Sequence, residues 1–241
     1  MLVPSMNNKE ITEVITKDME ILYKSSTLSR LTLEYYMERK KAKVSKDAVY
    51  SKFYEVKAKS KNKWIIKISK DHFSEKFNTP NDTVIMLFVY YYTEFGIRVF
   101  GFVDDDSIVV YNGHLFSRYR ERMKLNIPGS LEIVKTYLDN NWSATYRYMP
   151  EKDGKINFLG LIKEGFILGD YIVEDRWYVY KTFINKITSG FDANEFEKDA
   201  LKKIKDELRD INKEMDNDEF NVLIATYRAL IPDLKQDITP S

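Results

Sequence analysis

Cysteine is absent from the 241 residues. Its absence excludes disulfides, thiolate metal sites and cysteine nucleophiles together, and it fits a reducing compartment. Histidine occurs only at positions 72 and 114, so no metal site is expected, least of all one built for zinc. Glycine and proline are scarce, at 9 and 6 residues. Gly160, Gly165 and Gly169 lie between strand-like segments, without the strand–loop–helix setting of a nucleotide-binding loop. Long apolar runs are missing too. The longest, Val84 to Tyr92, is about half of what a membrane-spanning helix needs, so no membrane association is expected. The opening stretch MLVPSMNNKEITEV has no basic segment followed by an apolar one and does not read as a secretory signal. The expected location is cytoplasmic.

What the chain does have is aromatic surface. Its 17 Tyr, 14 Phe and 3 Trp favour pleated, half-buried positions and point to a substantial sheet. Hydrophobic residues at 44% supply enough apolar area for a real core and argue against wholesale disorder. The net charge is only +1, but residues 1–70 carry 16 bases against 8 acids, while residues 191–220 carry 11 acids against 6 bases. Such asymmetry either attracts nucleic acid at one end or is neutralised within the molecule.

The periodicity divides the chain into three parts. Residues 1–45 read as a helical hairpin, with Ile11, Val14, Ile15, Met19 and Leu22 on one helix and Leu28, Leu31 and Tyr35 on the next. Ser25-Ser26-Thr27 supplies the turn and a new N-cap. Residues 46–190 form an α+β core. Five strand-like segments (50–58, 63–68, 83–93, 96–103 and 107–111) are joined by short connections, which force antiparallel neighbours. Two helices follow, then four more strands near 143–148, 156–162, 166–173 and 177–183. Residues 191–241 form a C-terminal helical segment, opened by Asp192 with Glu195 and carrying an apolar stripe from Phe196 to Met215. The expected fold class is therefore α+β: an antiparallel meander sheet with a central two-helix insertion and helical hairpins at both termini.

The helix after the fifth strand carries the chemistry. With His114 at zero and an advance of about 100° per residue, Leu115, Phe116, Tyr119 and Met123 fall on one stripe. His114, Arg118, Glu121 and Arg122 fall on another. An imidazole can take and return a proton near neutral pH, and guanidinium groups suit phosphate oxygens. His114 also lies in the first turn, where backbone N–H groups favour an anion. The bland reading is a solvated face in which Arg118 pairs with Glu121 three residues on. Other candidates reduce to structure: Asp104-Asp105-Asp106 reads as a solvated hairpin tip, Asp216-Asn217-Asp218-Glu219 as a helix break, and His72 as a surface residue. Tyr90-Tyr91-Tyr92 alternates faces, so at least one ring must point away from the core.

The stretch Ser107-Ile-Val-Val-Tyr-Asn-Gly-His114-Leu-Phe-Ser-Arg118-Tyr-Arg-Glu-Arg122 is followed later by Tyr180-Lys181-Thr182-Phe183-Ile184. A histidine–arginine helix, a second helix, and then a sheet closing on a polar residue resemble the barnase/EndoU/colicin/RelE-like ribonuclease superfamily. The resemblance covers about residues 105–185. It implies metal-independent cleavage of RNA by its own 2′-hydroxyl, with no cofactor, in a bacterial toxin or phage-related protein. It further implies His114 as acid/base, Arg118 and Arg122 as phosphate clamp and Thr182 as a polar contact, with His114, Arg118 and Thr182 converging in one cleft. The competing expectation is a non-catalytic module that binds a protein partner, or a second copy, through its helical ends.

Overall fold

The computed structural model describes residues 1–43, 50–70, 83–102, 107–141, 144–150 and 156–185. These belong to one compact unit, residues 1–188; a second unit spans residues 189–241. The expected C-terminal helical segment, His72 and Asp104 to Asp106 lie outside the described residues.

The chain opens with α1 (Asn8–Lys24) and α2 (Ser26–Lys41). Asn7 starts α1 through a reciprocal capping box with Glu10, and Ser25 both closes α1 and caps α2 by accepting from the Thr27 amide. Five strands follow: β1 (Ser51–Lys57), β2 (Lys63–Lys70), β3 (Thr83–Thr93), β4 (Gly96–Phe102) and β5 (Ile108–Tyr111). Then come α3 (Gly113–Arg122) and α4 (Ser130–Asn140). The last described elements are β6 (Thr145–Pro150), β7 (Ile156–Ile162), β8 (Gly165–Ile172) and β9 (Trp177–Asn185).

All nine strands form one sheet in the order β1-β2-β3-β4-β5-β9-β8-β7-β6. Seven of its eight pairings are antiparallel, while β5 and β9 run parallel, with Ile108 opposite Trp177 and Tyr111 opposite Tyr180. The expected fold class is corrected accordingly: the sheet is mixed, not an antiparallel meander interrupted by a two-helix insertion. Short connections dictate direction only between consecutive strands. Between β5 and β9 the chain passes through two helices and three strands, which leaves their relative direction free.

Nor do the helices sit beside the sheet as insertions, because each pair covers one of its faces. On the first face, Leu115, Phe116 and Tyr119 of α3 and Ile133, Val134, Tyr137 and Leu138 of α4 share a core with Val99, Val109, Tyr111, Phe158, Tyr180 and Phe183. On the second face, Ile11, Ile15, Leu22, Leu28, Leu31 and Tyr35 pack over Trp64, Ile66, Val89, Phe100, Val110 and Trp177. Covering both faces explains why β5 is buried at every position instead of alternating. Fully burying one such side chain contributes about 1.5–3 kcal/mol, so these two cores dominate stability.

Candidate functional site

The site begins where β5 ends. Asn112 leaves the sheet with its amide donating to the Tyr180 carbonyl at 3.3 Å. It then serves as the N-cap of α3, in extended geometry (φ −80°, ψ 153°), but its side chain makes no capping hydrogen bond. The next residue has to be small. A Cβ on Gly113 would lie 2.4 Å from the Phe95 carbonyl oxygen and 3.2 Å from the Gly96 Cα. The first turn of α3 is thus buttressed against the β3–β4 turn, and His114 emerges, exposed, beside that contact.

The expected quartet is only partly assembled. Arg118 reaches His114, its Nε donating to His114 Nε2 at 3.4 Å, while its Nη1 pairs with Glu121 at 2.8 Å. Of the expected row, His114 and Arg118 are in contact, and the Arg118–Glu121 pair expected of a solvated face is present beside them. Arg122 turns the other way. It donates to the Phe183 carbonyl, and Asn185 donates back to the Arg122 carbonyl at 3.2 Å, so this arginine fastens α3 to β9.

Thr182 is separated from α3 by the sheet itself. Phe183 packs its ring on Tyr119, with centroids 5.1 Å apart, and neighbouring strand residues point to opposite faces. A register shift leaves Lys181 without a residue opposite, because Leu168 pairs with Thr182 and Gly169 with Tyr180. Lys181 pairs with Asp170 across this bulge. Among the described residues, no hydrogen bond joins Thr182 to His114, Arg118 or Arg122.

What the fold brings to His114 instead is the end of the β3–β4 hairpin. Tyr91, Glu94, Phe95 and Arg98 line, with Asn112 and His114, a cleft of about 590 Å³. Arg98 lies over the Phe100 ring at 5.2 Å, and its Nη1 donates to the Tyr91 hydroxyl at 3.4 Å. Tyr91 in turn stacks on Phe100, with centroids 5.9 Å apart. The Arg98 Nε is shielded from solvent and has no hydrogen-bond partner. Val99, Tyr111 and Tyr180 form one row across three strands. One step further along lie Arg98, Asn112 and, past the bulge, Thr182. Arg98 and Thr182 therefore share the second face, two strand spacings or about 10 Å apart.

The three consecutive tyrosines divide as alternation requires. Tyr90 is buried in the first core, Tyr91 packs against the second and Tyr92 is exposed. Nothing in the sequence singled out Glu94, Phe95 or Arg98, since in a strand–turn–strand segment they read as turn and edge residues. The one available signal was Phe95, an aromatic in a two-residue hairpin loop where Asn, Asp or Gly is usual.

A second polar cluster holds the region rigid. Tyr119 is fully buried and donates to Glu164 at 2.7 Å; Asn141 and Asn140 donate to the same carboxylate at 2.7 and 3.2 Å. The Glu164 amide donates back to the Asn141 side chain at 3.0 Å. Burial, with the neighbouring carboxylate adding to it, raises the Tyr119 hydroxyl well above its ordinary value. With both carboxylate oxygens occupied, Glu164 acts as a clasp between α3, the end of α4 and the β7–β8 turn. Among the described residues, no cluster of three or more His, Asp or Glu is arranged to hold a metal ion.

Compared with family models, curated proteins and solved structures, the chain shows no match. The functional reading therefore rests on this geometry and on the residues themselves. No helix among the described residues is long and apolar enough to cross a membrane.

Proposed function

We propose that the chain is a metal-independent ribonuclease acting in the His114 cleft. The observation that carries this reading is that one cleft holds a solvent-accessible histidine, a carboxylate and an arginine at the first turn of a helix. In-line attack of a 2′-hydroxyl on the adjacent phosphorus needs a base for the hydroxyl proton and an acid for the departing 5′-oxygen. It also needs positive charge for the phosphorane-like transition state. His114 and Glu94 provide the two proton-transfer groups. Arg98, Arg118 and the N-terminal amides of α3 provide the charge.

Because His114 Nε2 accepts from Arg118, the neutral ring carries its proton on Nδ1. A bound phosphate that draws the guanidinium away frees Nε2, so that the Glu94 carboxylate takes the 2′-hydroxyl proton as base and the imidazolium form of His114 gives its Nε2 proton to the departing 5′-oxygen. Arg122 is left out of this machinery by its bond to Phe183. Thr182 is left out as well, because it lies on the far face of the sheet from α3 and does not line the cleft.

The test is cleavage of a labelled mixed-sequence RNA in the presence of EDTA, comparing wild type with His114→Ala. Loss of a positioned acid/base lowers the rate by about 10²–10⁴-fold, and the 3′ ends of the products carry a 2′,3′-cyclic phosphate. RNA left intact by wild type refutes catalysis. It would favour a non-catalytic interaction module, for which the outward side of α2 offers exposed Leu33 and Met37 one turn apart, 62% and 53% accessible.

A further inference from the structure

We propose that Phe95 is the platform of a nucleobase subsite, so that the ligand of the His114 cleft is single-stranded RNA; this rests on the ribonuclease reading above. Phe95 is 80% exposed, the highest value for any large hydrophobic residue among the described ones. The turn geometry does not require it. Thr93 pairs with Gly96, which leaves Glu94-Phe95 as a two-residue loop, and such loops favour residues that accept positive φ. Here the positive φ, +110°, falls on Gly96.

The turn that carries the ring is held at its backbone. The Thr93 hydroxyl donates to the Gly96 carbonyl at 2.9 Å and accepts from the Phe95 amide at 3.2 Å. The Phe95 carbonyl is wedged against Gly113. With the backbone of the turn already held, a flat ligand that stacks on the ring has only the two side-chain torsions of Phe95 to order. The same turn and helix place that ring on the wall of the cleft that holds His114 and Arg98, with Tyr91 also lining it.

A phosphate at His114 and Arg98 would therefore carry its neighbouring base within reach of Phe95. Every base has a stacking face, so the subsite selects strandedness and not sequence. A duplex, whose base faces are already stacked, offers it nothing.

The experiment measures binding without cleavage. A fluorescein-labelled, single-stranded 2′-O-methyl oligonucleotide of mixed sequence lacks the attacking hydroxyl, and its affinity is read by anisotropy, beside a duplex of the same sequence. Wild type is expected to bind the single strand more tightly than the duplex. Phe95→Ala weakens single-strand binding about 5- to 150-fold, and Phe95→Trp restores it. Phe95→Ala binding within twofold of wild type overturns the subsite, even if wild type cleaves RNA and His114→Ala does not. A wild type that binds the oligonucleotide through Phe95 but leaves RNA intact overturns the ribonuclease reading and keeps the subsite. If Phe95→Ala leaves oligonucleotide binding intact and instead changes the sedimentation coefficient, the ring is a contact between copies of the chain, and the proposal falls.

Discussion

Replacing Gly113 with alanine tests whether the helix N-terminus and the hairpin turn are locked together. The added Cβ would stand 2.4 Å from the Phe95 carbonyl oxygen, so the turn or the helix must retreat by about 1 Å to reach ordinary contact, a displacement that well-packed interiors resist. Neither partner can yield by rotating a side chain. The obstructing atom belongs to the backbone, and the turn is held by the Thr93–Gly96 pairing and the Thr93 hydroxyl. Overpacking of this kind costs about 1–3 kcal/mol. Alanine returns about 0.5–1 kcal/mol through its better helix propensity. A 2.4 Å approach to a backbone oxygen belongs at the upper end of the first range, so the clash wins by about 2–2.5 kcal/mol, which for a chain of this length lowers Tm by about 4–10 °C. The measurement is thermal unfolding followed by circular dichroism, with urea titration at 25 °C as a second reading. RNA cleavage by the same variant should fall further than its folded fraction does, because His114 and Phe95 are displaced relative to one another. A Gly113→Ala protein as stable as wild type would show that the turn and helix are not braced, and the argument for a preformed cleft would fail with it.

Two further outcomes follow from the buried polar groups. Glu164→Ala strips the acceptor from the fully buried Tyr119 hydroxyl and from Asn141. Each donor left unpaired costs about 1–3 kcal/mol, partly relieved by water at the half-buried carboxylate position, so a loss of about 2–4 kcal/mol is expected. A double-mutant cycle with Tyr119→Phe measures the coupling, and a loss below about 0.5 kcal/mol would mean that water replaces the clasp. At alkaline pH the tyrosines decide. Burial pushes Tyr90 and Tyr146 up to about 12, and raises Tyr111, Tyr137 and Tyr180 as well. Above pH 10 the unfolded chain releases phenolic protons that the folded chain retains, so stability falls as pH rises. The three fully enclosed rings alone give a slope of about 4 kcal/mol per pH unit. Lys67, lowered by burial against the pull of Asp139, works in the opposite sense, but it is one group against several. The part of the 295 nm absorbance change that belongs to the buried tyrosines should coincide with the loss of circular dichroism between pH 10 and 12. A 295 nm change that accounts for all 17 tyrosines near pH 10 while the fold stays intact would refute this.

Several local features were readable because they depend only on neighbours in the chain. The buried stripe of Leu115, Phe116 and Tyr119 follows from helical period, and the division of Tyr90, Tyr91 and Tyr92 follows from strand alternation. The Arg118–Glu121 pair follows from three-residue spacing. The fates of Arg122 and Thr182 were not readable. Arg122 lies on the same helical stripe as His114, yet it is drawn to a carbonyl of β9 that becomes its neighbour only through tertiary packing. Thr182 takes its face from Phe183, which is fixed by the ring of Tyr119, and from a bulge that no turn residue announces.

Among the described residues, the sequence by itself determined where strands and helices lie and which side chains each could bury. Apolar period and capping chemistry act within a few residues and need no knowledge of the rest of the chain. Only the tertiary structure decided that β9 returns parallel to β5, that helices cover both faces of the sheet, and that Arg98, Glu94 and Phe95 line one cleft with His114. Those outcomes come from burying two faces of one sheet at once, a requirement of the whole chain that no local window contains.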